Sequence, residues 1–380
     1  MNKKKLLFIV NVDWFFLSHR VPIALKAIEQ GYEVHLLCAI TDNADYLEQL
    51  GLIVHPFSFS RSGKNIITEL LCITNLYRQL KHIKPDLLHL VTIKPVLYGG
   101  IVARLAKVPS VVSAISGLGF LFVERDGMKA RVFRCAILFL YRLAMGHSNQ
   151  RVIFQNPTDM NALLVAGGVQ KDKVRMICGS GVDLNRYTMS PEKAGVPVVI
   201  MASRLLKDKG VLEFVEAARI IRGKGLDVHF QLIGEPDPGN PESVSTKLVS
   251  SWAESGVVKC LGFRSDVEGL FSRAHIVVLP SYYGEGLPKV LIEAAACGRA
   301  IITTDMPGCR DAIEPNVSGI LVPVQDVVSL VKAIEYLVGK KKLRQQMGRA
   351  GRSLAEREYS IDKVISAHFD VYHELEVNKR

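Results

Sequence analysis

Residues 279–295 read LPSYYGEGLPKVLIEAA. An apolar run, Ile276-Val277-Val278-Leu279, stops at Pro280 and an aromatic turn. The segment Gly284-Glu285-Gly286-Leu287-Pro288 follows, and then a helical run that carries Glu293. A buried strand therefore feeds a glycine-rich loop that opens a helix. Backbone N–H groups and the positive end of a helix dipole converge in such a loop, which makes it an anion cradle. Glu285 and Glu293 flank it, with seven residues between them. The question for the rest of the chain is which ligand needs a phosphate cradle with a carboxylate on each side.

Working outward, the same strand–loop–helix rhythm recurs. Before residue 178, short apolar runs fall at 6–10, 33–38, 52–56, 87–90, 110–115, 151–154 and 174–177. Helical patterns lie between most of them, at about 20–30, 65–83, 95–107, 129–147 and 158–166. Residues 178–196 are rich in Gly, Ser and Pro and read as a linker. Runs then resume at 198–202, 228–233, 257–261, 276–279, 300–303 and 319–322, with helical patterns at about 210–223, 243–254, 266–273, 288–297 and 327–338 and two more in the tail. Strands alternating with helices predict an α/β class built on parallel, doubly wound sheets. The expectation is two Rossmann-like domains, 1–185 and 196–359. Ligands of such sheets bind outside the carboxyl ends of the strands, and two facing domains put the active site in a cleft between them.

Composition narrows the class. The chain has 380 residues, 48% of them apolar, which suffices for two cores. Its net charge of +11 calls for an anionic partner. The seven cysteines are scattered, with no CxxC pair, and read as free thiols of a reducing compartment. Lys3-Lys4-Lys5 before five apolar residues imitates a signal peptide, but Asn11 and Asp13 end the run and no small-residue cleavage site follows. No stretch has the length of a membrane span.

After the run at 198–202 comes Ser203-Arg204-Leu205-Leu206-Lys207-Asp208-Lys209-Gly210. Arg204 and Lys209 lie between a strand end and a helix start, on the same sheet edge as the 284–288 loop. A planar fork, a point charge and a helix terminus on one edge suit a diphosphate better than a solvated basic loop does. Glu293 sits among Leu291, Ile292 and three alanines, so it is not a surface glutamate; a carboxylate there can accept a ribose diol. The turn Gly262-Phe263-Arg264 follows another strand on this edge and offers its backbone to a base.

Together, Glu285 and Glu293 after a Pro-Ser-x-x-Glu-Gly-like turn, Arg204 with Lys209-Gly210, Gly181-Val182-Asp183 and Gly262-Phe263 resemble the retaining glycosyltransferases of family four. The resemblance spans the chain and is strongest over 179–325. It implies the GT-B fold, two Rossmann-like domains facing a cleft, with C-terminal helices crossing back so that about 360–380 rejoins the first domain. It also implies that Arg204 and Lys209 hold the donor diphosphate and that Glu293 binds the ribose. Glu285 would stand by the transferred sugar, with Gly286, Leu287, Pro288, Lys289 and Val290 around the sugar and β-phosphate. No metal or cofactor is implied; the donor would be a nucleotide sugar, UDP with an N-acetylhexosamine.

The first half resembles bacterial transferases that build O-antigens, capsules and lipid-linked glycans, in its 11–22 and 116–120 segments. That implies a polyprenyl-diphosphate-linked or other glycolipid acceptor, met by His19 and Arg20 at the start of a helix and by Lys94, Gly117 and Gly119. Ile93 stands where some relatives carry a histidine. Two basic segments, Arg61, Lys64, Arg78, Lys81 and Lys84, and the six cations between Arg125 and Arg151, suggest docking on the inner leaflet of a bacterial plasma membrane by a cytoplasmic protein. A core helix with a charged rim is the plainer account of the latter. Gly117-Leu118-Gly119 lacks the third glycine of a dinucleotide fingerprint, which argues against a dehydrogenase. No recognition motif supports nucleic acid. A nucleotide-sugar epimerase of the same architecture, or a non-catalytic nucleotide-sugar binder, remains as an alternative.

Overall fold

The computed structural model describes residues 3–59, 66–119 and 128–378. Among these residues thirteen strands form two sheets, and every pairing between them is parallel. The first sheet holds β1 (Lys5–Val12), β2 (Glu33–Ala39), β3 (Ile53–Pro56), β4 (Leu87–Val91), β5 (Ser110–Ile115), β6 (Gln150–Phe154) and β7 (Val174–Met176) in the order β3-β2-β1-β4-β5-β6-β7. The second holds β8 (Val198–Ala202), β9 (His229–Ile233), β10 (Lys259–Cys260), β11 (Ile276–Leu279), β12 (Ala300–Thr304) and β13 (Gly319–Val322) in the order β10-β9-β8-β11-β12-β13.

Helices on both faces explain why central strands are apolar without interruption. In β1, Leu6, Phe8 and Val10 enter one core while Leu7 and Ile9 enter the other. The Ile66–Ile83, Gly100–Ala106 and Met128–Ala144 helices cover the second face with Leu76, Leu80, Val102, Tyr141 and Ala144. The first face is covered by Val21–Glu29 and by the C-terminal helix Ile361–Val377, through Ile23, Ala24, Phe369, Tyr372 and Leu375.

The chain divides into two compact units, Met1–Ser180 with Asp362–Arg380, and Gly181–Ile361. Of residues 178–196, read as a linker, 181–196 are built into the second unit. Val182 N–H donates to Tyr359 O (2.8 Å), Ile361 N–H donates to Val182 O (3.0 Å), and Tyr187 is buried. Backbone pairing and one aromatic anchor order a stretch whose composition has no periodicity. A second correction concerns the first connection. His19 does not open a helix but ends a short one, Asp13–His19, while Arg20, at φ −131°, is the N-cap of Val21–Glu29, which has Pro22 in its first turn. Among the described residues no helix is long and apolar enough to cross a membrane.

Candidate active site

The strand order of the second sheet reverses between β8 and β11, which are adjacent. Loops leaving these two carboxyl ends diverge and open a crevice. The loop after β8 closes with a 3-10 turn, Lys207–Lys209, and Gly210 at φ +77°. A Cβ on Gly210 would lie 2.2 Å from Pro280 O, so a side chain there would push the two loops apart. Ser281 Oγ and Tyr282 N–H both donate to Asp208 O, at 3.1 and 2.9 Å. The loops after β8 and β11 are thereby one platform. Lys209 Nζ lies 2.8 Å from Glu285 Oε2, both side chains largely buried, and 5.8 Å from the Tyr283 ring centroid. Behind them Gly308, at φ +80°, leaves no room for a Cβ, which would come within 2.4 Å of Glu285 O and 2.6 Å of Gly286 O. Arg204 reaches Asp237 at 3.0 Å in an exposed ion pair.

Gly286 and buried Leu287 lead to Pro288, the N-cap of the Lys289–Ala296 helix. The first-turn N–H groups of Lys289 and Val290 thus follow directly on the loop that holds Glu285. Glu293 is buried in the second turn. Lys289 Nζ stands 3.5 Å from its Oε1. Burial pushes the Glu293 carboxyl above its usual range, while Lys289, Tyr187 and Arg186 pull it back. Gly262 (φ +63°) follows β10 and accepts from Gly234 N–H at 2.8 Å. Phe263 is 75% exposed, and Arg264 forks onto Asp266 with two 2.7 Å bonds at the surface.

The first sheet reverses between β1 and β4. At that edge Thr92 adopts φ +73°, and Lys94 Nζ binds Glu69 Oε1 at 2.8 Å while Tyr98 OH donates to Glu69 Oε2 at 2.6 Å. Gly117, φ +114°, turns the chain after β5, and Leu118 and Gly119 are buried. His19 stacks on Phe15 at 4.1 Å between ring centroids. Arg20 departs from the expectation of an acceptor contact. It is 1% exposed, donates to His19 O at 3.0 Å, and lies in the field of Tyr372, His89 and His368. The short Asp13–His19 helix turns it into the core instead of onto the strand ends. Of the basic segments, Arg61, Lys64 and Arg125 lie outside the described residues, as does the Lys129 side chain.

Residues 5–156 match the family model described as "Glycosyl transferase 4-like", and residues 189–354 match "Glycosyl transferases group 1". A Campylobacter jejuni N,N'-diacetylbacillosaminyl-diphospho-undecaprenol alpha-1,3-N-acetylgalactosaminyltransferase is 31% identical over 88% of this chain and 91% of its own. The chain is a group 1, family-four-like glycosyltransferase. An Escherichia coli UDP-Gal:alpha-D-GlcNAc-diphosphoundecaprenol alpha-1,3-galactosyltransferase is 26% identical over 92% of the chain and 90% of its own. Among solved structures, Anabaena HepE in complex with UDP and glucose superposes with a TM-score of 0.77 at 20% identity, covering 97% and 99% of the two chains. The shared architecture is GT-B.

Within this glycosyltransferase the residues singled out from the sequence fall into groups. Arg204, Lys209, Glu285, 286–290 and Glu293 meet at the β8/β11 edge, and 262–264 follow β10 on the same side of the sheet. Lys94, Gly117 and Gly119 follow β4 and β5. Two residues escaped notice. Tyr187 lies in the apparent linker, where Arg186-Tyr187 was the one aromatic signal. Asp13, just after β1, is buried and accepts from Trp14 N–H (2.7 Å), Thr41 N–H (2.8 Å), Thr41 Oγ (2.9 Å) and Asn43 Nδ2 (3.2 Å). Burial alone would raise its pKa, but these donors outweigh burial and hold it below the usual carboxylate range.

Proposed function

We propose that this glycosyltransferase moves a sugar, with retention, from a UDP-sugar to a polyprenyl-diphosphate-linked sugar during bacterial surface-glycan synthesis. The second unit binds the donor and the first binds the acceptor. The observation that carries this reading is Lys209 paired to Glu285 across the glycine loop, in a chain 31% identical to a transferase whose name specifies a diphospho-undecaprenol acceptor. Before donor binds, Glu285 neutralises Lys209. A bound diphosphate takes Lys209 and Arg204 and meets the N-terminus of the Lys289–Ala296 helix, which together stabilise the charge that grows on the leaving group. Glu285, released, turns to hydroxyls of the transferred sugar. The anomeric carbon–phosphate oxygen bond breaks as the acceptor oxygen attacks from the same face, and the acceptor's proton passes to the departing phosphate oxygen. No metal is invoked, since the cations and helix end supply the neutralisation.

Membrane association is part of the proposal. On the Met128–Ala144 helix, Val132, Cys135, Ala136 and Phe139 are exposed at i, i+3, i+4 and i+7, flanked by exposed Arg131, Arg134 and Arg142. Ile67, Leu70 and Leu71 are exposed on Ile66–Ile83, and both helices pack on Gly100–Ala106 in one layer. Such a face suits a peripheral position on the anionic inner leaflet.

The test is turnover of a panel of nucleotide sugars with and without a sugar-diphosphate-polyprenol. Transfer only with acceptor, undiminished by EDTA, is the expected result. Epimerised donor without acceptor would overturn transfer, and abolition by EDTA would overturn the metal-free mechanism.

A further inference from the structure

The first unit holds an ion pair at its own switch point that no step of the transfer has used. The chain leaves β4 there through Thr92 at φ +73°, a conformation that a β-branched residue rarely adopts. The turn carries Lys94 to the N-cap of Pro95–Gly99, a stretch wound as a π-helix that runs on into Gly100–Ala106. Glu69 arrives from a different element, the Ile66–Ile83 helix. Its carboxylate has Lys94 Nζ on Oε1 at 2.8 Å and the Tyr98 hydroxyl on Oε2 at 2.6 Å. The lysine and glutamate side chains are only 23% and 14% exposed. Lys94 Nζ also stands 5.9 Å from the centroid of the Tyr98 ring. Near this edge two hydroxyl oxygens, Thr92 Oγ1 and Ser116 Oγ, are shielded from solvent and find no partner among the described residues. A strained threonine whose hydroxyl bonds nothing adds no stability, which marks the edge as one built for a ligand.

We propose that Glu69 is a built-in competitor for the acceptor's diphosphate: it holds Lys94 at the acceptor edge and gives it up when the diphosphate arrives. This rests on the acceptor reading given above. A largely buried ion pair is a poor source of stability, because desolvation offsets most of the attraction. What the pair does is keep a cation ready in a crevice where it would otherwise lack a counter-charge. Tyr98 lets the pair open. The lysine ammonium has three donors on a flexible stem and can turn to a phosphate oxygen, while the phenol stays on Oε2. The carboxylate therefore keeps a donor after the lysine leaves. A diphosphate carries more charge than a carboxylate and takes the lysine; a neutral group does not. Opening the pair is thus a cost that only a strongly anionic acceptor meets, and Glu69 helps to set acceptor specificity. The second unit has a matching arrangement at its switch point, Lys209 on Glu285 beside Tyr283.

The test is steady-state transfer from a saturating UDP-sugar to a short-chain sugar-diphosphate lipid at varied concentration. Lys94→Gln is expected to raise acceptor KM about tenfold or more, the loss of one charged contact. Glu69→Gln keeps the shape and removes the competing charge, so acceptor KM should fall about five- to tenfold. Tyr98→Phe should do the opposite and raise acceptor KM several-fold, because a departing Lys94 would strip Glu69 of the donor that remains. Both variants lose a contact in one network, so a merely structural role would move KM in the same direction in both. In a Lys94→Gln background, Glu69→Gln should change nothing, since its effect passes through the lysine. Donor KM stays at the wild-type value throughout. If wild type transfers to no sugar-diphosphate lipid, the acceptor reading falls. If it does transfer and Lys94→Gln leaves acceptor KM unchanged, Lys94 does not meet the diphosphate and the proposal falls. If Lys94→Gln raises KM but Glu69→Gln does not lower it, or lowers it equally without the lysine, only the competitor role falls. Tyr98→Phe keeps both charges and tests that role by itself: an unchanged or lowered acceptor KM overturns it.

Discussion

Among the donor-edge cations, Arg204 and Lys209 differ in what their removal would report. Lys209 and Glu285 form a largely buried pair, so deleting the lysine leaves a buried carboxylate uncompensated, a loss of about 3 kcal/mol or more in stability that would obscure any effect on chemistry. The Arg204–Asp237 pair is exposed and contributes well under about 1 kcal/mol. Arg204→Ala should therefore leave the thermal midpoint unchanged while kcat falls about a hundredfold, the scale of one lost charge-stabilising donor in a transition state. A change in donor KM alone would place Arg204 in ground-state binding instead. These residues were legible in the chain because each follows an apolar run at a spacing that only a strand-to-helix turn explains. Arg20 was misplaced for the converse reason. Asp13–His19 has polar ends and no clear period, and so looked like a loop that would leave Arg20 on the edge.

At the level of elements, the thirteen strands were readable because central parallel strands are apolar on both faces and stand out between helical patterns. The C-terminal helix was readable as a helix, but its seat was not, since that depends on partners hundreds of residues away. His89 Nδ1 and Tyr372 OH are 2.6 Å apart across β4 and the Ile361–Val377 helix, and His368 Nδ1 bonds Val364 O at 2.7 Å. Burial drives both imidazoles towards the neutral form, His89 well below its ordinary pKa and His368 down to about 3; the Arg20 charge adds to this. An unfolded chain protonates both near pH 6.5. Between that pH and about 3 the unfolded state binds more protons than the folded one. Stability should fall as pH drops through this window, by about 1.4 kcal/mol per pH unit for each histidine. Urea denaturation at stepped pH measures the slope. His368→Gln should remove one histidine's share of it, and an unchanged slope would show that His368 is not held neutral.

Over the whole molecule, charge is divided unequally in a way that a single net figure hides. The unit formed by residues 1–180 and 362–380 carries 25 Lys and Arg against 16 Asp and Glu, a net +9. The other unit carries 23 against 21, a net +2, so nearly all of the +11 lies on the unit assigned to the lipid-linked acceptor. The two basic segments were visible in the sequence, but the layer that their helices share was not, because it depends on both helices packing against Gly100–Ala106. An anionic leaflet attracts such a surface by about 1 kcal/mol per cation near the headgroups, an attraction that added salt screens. The full-length chain should therefore co-sediment with phosphatidylglycerol vesicles and not with phosphatidylcholine vesicles, and half-maximal binding should need more lipid as salt rises. Replacing Arg131 and Arg134 together by Gln should weaken binding about thirtyfold, since two cations are lost. Phe139→Asp, at a position 59% exposed, should weaken it further without lowering the thermal midpoint. Because the donor edge is untouched by these changes, UDP affinity should stay constant and transfer to a short water-soluble acceptor analogue should be retained. Transfer to the long-chain lipid presented in vesicles should fall in step with vesicle binding. Equal transfer to both acceptors in these variants would mean that the cationic face does not bring the enzyme to its substrate.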